Sequence, residues 1–501
     1  MHKWAGLAAG LWLLALGVTG FFLDHRDWGW MWRATVPEAL VPDRIIERGR
    51  SGGVVRLYRI DPENPDRLLA GGPQGLWWSD DGGSSWSRTA FADMDSPPWV
   101  YSIVKDSAAG WEILWMATND GVWVSYDGGK SASGVALRGF VVNAMAEGAG
   151  PGELLGVVDR SSVFRLTADS GGTIEWLGIS PVGASELPEK FSLSRFVHDL
   201  HFGRGIFSGA SSLLVNDIGG VALVALSVTG FLFWILPRRW KKRRRASRAD
   251  YKTRKRTMRR IFGIHTTVFG LIGIAPIVYL SITGILIDHR DVLGHWMRSV
   301  EISREWLTPV YDMKSWDGEI YSIAGYPGEP GKLSLGTRGG MYTSSDGGSS
   351  WKREALPGAT AGFIWSLRRI EDDLFIGGMG SPNLMKSGSG PWRVIKGAGH
   401  MPSDVTKTAD GEIVWKTHKG VMVEVADGKF VNAGAALPLN PGVPWFYVLD
   451  GLHSGLFIHP QWKWVNDIVS IMAILLCVTG CVRWIRRKLF APRRISHRGR
   501  A

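Results

Sequence analysis

The chain has 501 residues, a net charge of +12 and a mean hydropathy of +0.00, so it is long enough for several domains. Its positive charge is concentrated in two short segments, residues 238–260 and 483–500, which together carry 22 basic residues and one acidic residue. Without these segments the net charge is −9, which argues against a nucleic-acid-binding protein. Basic clusters of this kind beside apolar stretches mark the cytoplasmic side of a membrane protein.

Four apolar stretches are long enough to cross a lipid bilayer, which takes about 20 helical residues. The first is not a signal peptide, because no small-x-small cleavage site follows it and its counterpart in the second half is internal. The charge distribution predicts that both chain ends are cytoplasmic and that two long connections are exported. The predicted helices are 1–25, 211–237, 263–289 and 461–485, the basic loop and tail are 238–262 and 486–501, and the exported segments are 26–210 and 290–460.

The chain repeats its membrane segments. Residues 7–27 match residues 271–291 without a gap, and both copies end in Asp-His-Arg-Asp. Residues 196–236 match 446–484, and both copies contain His-x-Gly, then Val-Asn-Asp-Ile, then Val-Thr-Gly. The sequence therefore predicts a duplicated two-helix unit with four transmembrane helices, and a site where the two halves meet.

The exported segments are rich in glycine, tryptophan and β-forming residues. Segments 79–86, 125–131 and 344–351 resemble the Asp-box, or BNR repeat, of β-propellers, in which an aspartate bonds the backbone of a glycine-rich turn. The first two aspartates are 46 residues apart, close to the length of one four-stranded blade. The prediction is an all-β, propeller-like domain of about six blades, three from each segment. Two separate β-domains are the alternative, and no catalytic residue is assigned.

Histidines recur at equivalent positions of the two halves, at the predicted edges of the membrane. Two facing imidazoles are suitable axial ligands for a b-type haem, whereas the absence of Cys-x-x-Cys-His excludes the usual covalent c-type attachment. The alternative is that these histidines only anchor helix ends at the interface. The inner pair is His2 and His265, and the outer candidates are His201, His453, His25 and His289.

Each predicted helix also carries a Thr-Gly pair, which permits close approach of a flat macrocycle or of another helix. Ordinary packing of small residues explains these pairs equally well. The Asn-Asp pairs that begin the second and fourth helices are either N-terminal anions or hydrogen-bond partners of the histidines. The Thr-Gly pairs begin at Thr19, Thr229, Thr283 and Thr479, and the Asn-Asp pairs begin at Asn216 and Asn466.

The helix that has His-x-x-x-Gly at its start and Thr-Gly at its end, together with the Leu-His-x-Gly segment before a Val-Thr-Gly helix, resembles the PepSY-associated transmembrane helix family. That family includes bacterial inner-membrane reductases that bind haem b and reduce ferric siderophores in the periplasm. The resemblance implies two haems b, an inner one on His2 and His265 and an outer one on His201 and His453. His25 and His289 are reserve ligands for the outer haem.

The resemblance further implies that the protein passes electrons from the cytoplasmic side of the inner membrane to a ferric chelate or ferric siderophore in the periplasm. No dinucleotide-binding glycine motif follows a strand, so quinol or a redox partner protein is the expected electron donor. Two hypotheses of other classes stay open. One is a non-enzymatic, membrane-anchored β-propeller that binds a partner, and the other is an assembly or sensory protein.

Overall fold

The computed structural model has a helical part and, among the described residues, five four-stranded antiparallel sheets and a sixth sheet of four antiparallel strands with a short parallel edge strand. The helices are α1 (His2–Asp24), α2 (Trp30–Arg33), α3 (Asp43–Arg48), α4 (Leu193–His201), α5 (Leu214–Lys242), α6 (Arg248–Gly263), α7 (Gly270–Ile272), α8 (Ile274–Asp288), α9 (Arg290–Ser299), α10 (Trp445–Ser454) and α11 (Lys463–Leu489). The residues described are 2–49, 54–167, 172–242, 248–358, 362–379, 382–397, 402–425, 429–438 and 442–489.

Four long helices, α1, α5, α8 and α11, pack side by side. Small and branched residues from all four form one core, which consists of Ala9, Leu13, Ala222, Ile277, Val469 and Ala473. Among the residues that the structure describes, three helices are long and apolar enough to cross a membrane, and a bent pair makes a fourth span if it is counted as one.

The bent pair differs from the single helix predicted over 263–289. A π-helical turn, Ile264–Phe269, follows α6, and the axis then changes direction by 59° between Ile272 and Ile274. Pro276 explains the break, because proline has no backbone N–H and its ring collides with the carbonyl group four residues earlier. The apolar pattern alone did not indicate this bend.

Each sheet has the strand order of a propeller blade, with consecutive strands side by side. Blade 1 is Leu57–Ile60, Leu68–Gly72, Gly75–Ser79 and Ser87–Arg88; blade 2 is Val100–Asp106, Gly110–Thr118, Gly121–Ser125 and Ser131–Ala136, with Ala90–Phe91 added at its outer edge; blade 3 is Val142–Glu147, Glu153–Val158, Ser162–Thr167 and Thr173–Leu177. Blade 4 is Ile320–Gly325, Leu333–Thr337, Gly340–Ser344 and Lys352–Arg353; blade 5 is Phe363–Ile370, Asp373–Met379, Asn383–Ser387 and Arg393–Ile395; blade 6 is Asp404–Lys407, Ile413–Thr417, Gly420–Val425 and Lys429–Asn432.

The six sheets close into one ring. The first strand of every blade contacts the first strand of the next blade, and blade 6 contacts blade 1. At that closure the Asp404 carboxylate accepts hydrogen bonds from the Tyr58 backbone N–H, at 3.0 Å, and from the Arg59 guanidinium. The two long connections between the apolar helices therefore build a single ring of six sheets, three from each connection, rather than two separate β-domains.

An all-β structure was predicted for these two connections, but they also contain helices. Helices α2, α3, α4, α9 and α10 lie in these connections; α4 contacts α8, and α10 contacts α1. Local sequence explains the start of α4, where the Ser192 hydroxyl accepts a hydrogen bond from Arg195 N at 3.2 Å and so caps the helix. Two short antiparallel pairings join the exported segments: Thr35–Val36 with Val443–Pro444, and Lys190–Ser192 with Glu301–Ser303.

Three glycine-rich turns fold alike. In the first, Asp81 Oδ1 accepts hydrogen bonds from Ser85 N, at 2.9 Å, and from the Ser79 hydroxyl, at 2.7 Å. The same contacts recur around Asp127 and Asp346. Hydrogen bonds from Ser85 lower the pKa of Asp81 to about 2. These turns fix the connections between the third and fourth strands of their blades.

Candidate functional site

Two histidines face each other where the ring meets the long helices. His201 is the last residue of α4, and His453 lies in the last turn of α10. Their ring centroids are 6.4 Å apart. The glycine two residues after each histidine, Gly203 or Gly455, has a positive φ of 68° or 76°, a conformation that ends a helix. The shared His-x-Gly motif thus places each imidazole at a helix end.

Threonines of the long helices hold both imidazoles. His201 Nδ1 lies 3.0 Å from the Thr283 hydroxyl oxygen, and His453 Nδ1 lies 2.9 Å from that of Thr19. Each threonine also lies within hydrogen-bond distance, 2.8 or 2.7 Å, of the carbonyl oxygen four residues earlier. Because a carbonyl only accepts, the threonine proton goes there, and Nδ1 must be the donor to the threonine oxygen. The other ring nitrogen, Nε2, is therefore left with its lone pair.

The glycine after each threonine gives the imidazole room. A Cβ atom on Gly20 would lie 3.2 Å from His453 Cε1, and one on Gly284 would lie 3.4 Å from His201 Cε1. The Thr-Gly pair therefore has two roles at this level: the threonine accepts from Nδ1, and the glycine lets the ring lie against the helix.

The Asn-Asp pairs bind the same loops. Asn216 Nδ2 donates to the His201 carbonyl at 2.8 Å, and Asn466 Nδ2 is 3.3 Å from the His453 carbonyl. Asn216 is fixed in turn by the Tyr279 hydroxyl. From the sequence alone, the Asn-Asp pairs could be either N-terminal anions or hydrogen-bond partners of the histidines, and no feature indicated Tyr279. The structure makes them anchors of the histidine backbone.

The environment keeps both imidazoles neutral. Burial lowers the pKa of His201 to about 3, and the nearby His453 contributes in the same direction. Burial also lowers the pKa of His453. Neutral imidazoles with a free Nε2 lone pair are the form in which histidine binds a metal. The outer pair is thus prepared for ligation at physiological pH.

The spacing of the pair matches one metal ion between two rings. With metal–nitrogen bonds of about 2 Å, two imidazoles on opposite sides of a metal have centroids roughly 6 Å apart. Within the described ranges, no group of three or more histidine, cysteine, aspartate or glutamate side chains could hold a metal. Two protein ligands suit a metal that brings its remaining ligands with it, as porphyrin-bound iron does.

A second histidine site lies at the other end of the long helices. His265 Nδ1 is 2.7 Å from the Thr229 hydroxyl oxygen, which is itself 2.6 Å from the Ala225 carbonyl. His2 is followed by a glycine at four positions, Gly6, whereas His265 is followed by one at five, Gly270. The π-helical turn accommodates this additional residue, and a Cβ on Gly270 would lie only 2.6 Å from the His265 carbonyl oxygen. The side chain of His2, the predicted partner of His265, lies outside the described residues.

The reserve candidates have other partners. His289 Nε2 is 2.7 Å from the Asp467 carboxylate. His25 Nδ1 donates to the Phe21 carbonyl at 2.9 Å, and its Nε2 is 3.7 Å from Asp217. A ring nitrogen that donates to a carboxylate is not available to a metal at the same time. The structure therefore brings together His201 and His453, and it places His25 and His289 in contacts between the ends of neighbouring helices.

The chain matches one protein-family model and is similar to several solved structures at low sequence identity. A family model described as "PepSY-associated TM region" matches residues 1–487. No curated protein matches the chain. Similar solved structures include an ancestral GH74 enzyme, at 11% identity and TM-score 0.37, over 77% of this chain and 38% of that one.

Two further β-propeller-like matches are equally distant. YCF48 bound to D1 peptide matches at 12% identity and TM-score 0.33, over 77% of this chain and 79% of its own. The Cps50 (Swd1) β-propeller domain of Myceliophteria thermophila matches at 10% identity and TM-score 0.36, over 76% and 86%.

Proposed function

Because the chain belongs to the PepSY-associated transmembrane family, we propose that it is an electron-transfer protein of the bacterial inner membrane. It holds haem b at two levels and passes electrons from the cytoplasmic side to a periplasmic acceptor. The observation that supports this most strongly is the outer pair: His201 and His453 are partly buried, 6.4 Å apart between ring centroids, and each is held through Nδ1.

In this proposal His201 and His453 hold the outer haem, and His265 with His2 holds the inner one. A haem iron with two imidazole ligands supplies reversible one-electron chemistry. The threonines keep each Nε2 free for the metal, and the asparagines fix the backbone that carries the imidazoles. Along α5, Asn216 belongs to the outer level and Thr229 to the inner one, and the 13 positions between them correspond to roughly 20 Å.

The chain ends and the charge distribution give the direction of transfer. The basic helix α6 and the basic last turns of α11, with Arg483 and Arg486, lie at the His265 end of the long helices, which is cytoplasmic if the positive-inside rule applies. The six-bladed ring is then periplasmic, on the side of the outer pair. Quinol or a redox protein is the proposed donor, and a ferric chelate or ferric siderophore is the proposed acceptor.

The proposal is tested by the visible spectrum of the detergent-purified protein, oxidised and then reduced with dithionite. We expect sharp reduced Soret and α bands that lose about half of their intensity in a His201→Ala, His453→Ala double variant. The matched control is His198→Ala, because His198 lies on the same helix, one turn earlier, and is not part of the pair.

A colourless protein, expressed with ample haem, would contradict the proposal. A membrane-anchored β-propeller that binds a partner, or an assembly or sensory protein, would then remain as the function. Equal loss of the bands in the control and in the double variant would contradict the assignment of His201 and His453.

A further inference from the structure

Arginines from four separate parts of the chain meet where the ring faces the long helices. Arg26 follows α1, and Arg56 precedes the first strand of blade 1. Arg160 lies in the turn between the second and third strands of blade 3, and Arg204 is three residues after His201. These four residues are called the arginine cluster.

A tyrosine and an aspartate hold the cluster together. The Arg160 guanidinium lies 4.7 Å from the centre of the Tyr321 ring and 3.9 Å from the Asp27 carboxylate. Although burial raises the pKa of Asp27, the charges of all four arginines lower it overall. Although burial also raises the pKa of the Tyr321 hydroxyl, nearby arginines, with Arg204 first, lower it overall. The charges of four arginines therefore act on one carboxylate, and Arg160 is its ion-pair partner.

Three arginines of the cluster lack a close acidic partner among the described residues. The side chains of Arg26, Arg56 and Arg204 have no hydrogen bond and no ion pair within 4.0 Å there. Burial and the neighbouring arginines lower the pKa of Arg204 to about 10. Arg195 nearby is different, because it pairs with Asp199 at 2.6 Å. Clustered guanidinium groups that repel one another are stabilised by a bound anion.

The position of the cluster relates it to the ring and to the outer pair. Tyr321 is the extra residue of a β-bulge near the start of the first strand of blade 4, and Tyr101 is its counterpart in blade 2. The first strands of the blades contact one another in sequence, so they line the centre of the ring. The cluster thus lies at the end of the central channel that is closest to His201.

We propose that the arginine cluster is a binding site for carboxylate or similar oxyanion groups of a ligand that lies in the ring next to the outer histidines. This deepens the proposed function, because a ferric chelate that carries carboxylates would be held there within reach of the outer site. Carboxylates of two origins have the required chemistry: those of a dissociable ferric chelate, and the propionates of a porphyrin. The first is expected because Arg56 and Asp27 are exposed, so a dissociable ligand can reach the cluster.

The test is equilibrium dialysis of the purified protein against radiolabelled ferric citrate, with metal-free citrate as competitor. Binding needs no electron transfer, so it is measured independently of the redox function. We expect saturable, salt-sensitive binding that weakens about tenfold or more in Arg56→Gln and in Arg160→Lys, because lysine keeps the charge but not the planar fork. Arg56 is exposed, so its replacement spares the fold. The charge-matched control is Lys352→Gln on an outer strand of blade 4.

The outcomes separate the two origins. Citrate binding that is lost in the cluster variants and kept in the control supports a dissociable chelate, even in a protein that contains no haem. Absence of citrate binding, together with a changed haem content or reduction potential in the same variants, supports porphyrin propionates. If citrate does not bind and haem is unchanged, the oxyanion site is refuted while the electron-transfer proposal stands.

Discussion

His201 Nδ1 lies 3.0 Å from the hydroxyl oxygen of Thr283, a contact between the first half of the chain and the second. The contact between His453 and Thr19 repeats it in the opposite sense, at 2.9 Å. Each half therefore supplies the histidine that the other half's Thr-Gly pair holds. Because neither half contains both partners, the outer pair exists only when the two halves are assembled.

Replacement of Thr283 by valine tests this exchange. Valine has nearly the same shape but no acceptor for His201 Nδ1, so we expect loss of about 1 kcal/mol of stability and a reduced or shifted haem spectrum. Thr283→Ser, which keeps the oxygen, should restore both. The matched control is Thr266→Val, because that hydroxyl bonds only its own helix, at 2.8 Å from the Phe262 carbonyl. Unchanged spectra in Thr283→Val would show that the threonine does not orient the imidazole.

The glycine of the Thr-Gly pair is predicted to matter only where an imidazole lies against it. In Gly20→Ala the new Cβ would lie 3.2 Å from His453 Cε1, so the ring must move and we expect weaker haem binding. Gly230 has no atom within 4 Å of such a Cβ, so Gly230→Ala should be tolerated or should stabilise α5 by up to about 1 kcal/mol. Haem content and the thermal unfolding temperature measure the difference. Equal effects of the two substitutions would contradict the steric explanation.

Substitution of His289 tests whether this histidine has a structural role or is a haem ligand. Its Nε2 is hydrogen-bonded to Asp467 at 2.7 Å, so His289→Gln should lower the unfolding temperature and leave the reduced spectrum intact. The same substitution at His453 should remove part of the spectrum. Loss of the reduced α band in His289→Gln would instead make this residue a ligand, the reserve role that the sequence suggested.

The sequence predicted the repeated motifs, the apolar helices and the blade-length spacing, because each depends on local periodicity or on a turn. The exchange between His201 and Thr283 was not predictable in this way, since it joins residues 82 positions apart on helices whose packing order is a tertiary property. The π-helical turn at His265 did leave a signal, namely one extra residue before Gly270. The arginine cluster left a signal only at Arg26, which lies in the repeated Asp-His-Arg-Asp motif near a predicted helix end, because its other members come from separate parts of the chain.

Closure of the ring depends on Asp404. The carboxylate is buried, binds the Tyr58 N–H and the Arg59 guanidinium, and joins the last blade to the first. Asp404→Ala would leave the Arg59 cation buried without its partner, so we expect a loss of about 3–5 kcal/mol and faster proteolysis of the ring. Asp372→Ala is the control, because its pair with Arg369 is at the surface and such pairs contribute little. Chemical unfolding of both variants compares the two losses.

The aspartate turns predict how the ring responds to acid. Hydrogen bonds from Ser85 hold the folded pKa of Asp81 at about 2, below the ordinary value of 3.8, and those from Ser350 do the same for Asp346. A carboxyl group with a lowered pKa stabilises the fold above its unfolded pKa, and this contribution is lost as the pH falls through the folded pKa. The difference in unfolding temperature between the wild-type protein and an Asp81→Asn, Asp346→Asn variant should therefore be constant above about pH 5 and should disappear towards about pH 2.

The control for this experiment is Asp80→Asn, which removes the neighbouring carboxylate that pairs with Lys130 at 2.9 Å and leaves the turn intact. Because that ion pair is exposed, its loss should change the unfolding temperature little at any pH. A double variant as stable as the wild-type protein at neutral pH would mean that the glycines alone determine the turns. A difference that persists below about pH 2 would mean that the aspartates act through shape rather than through their charge.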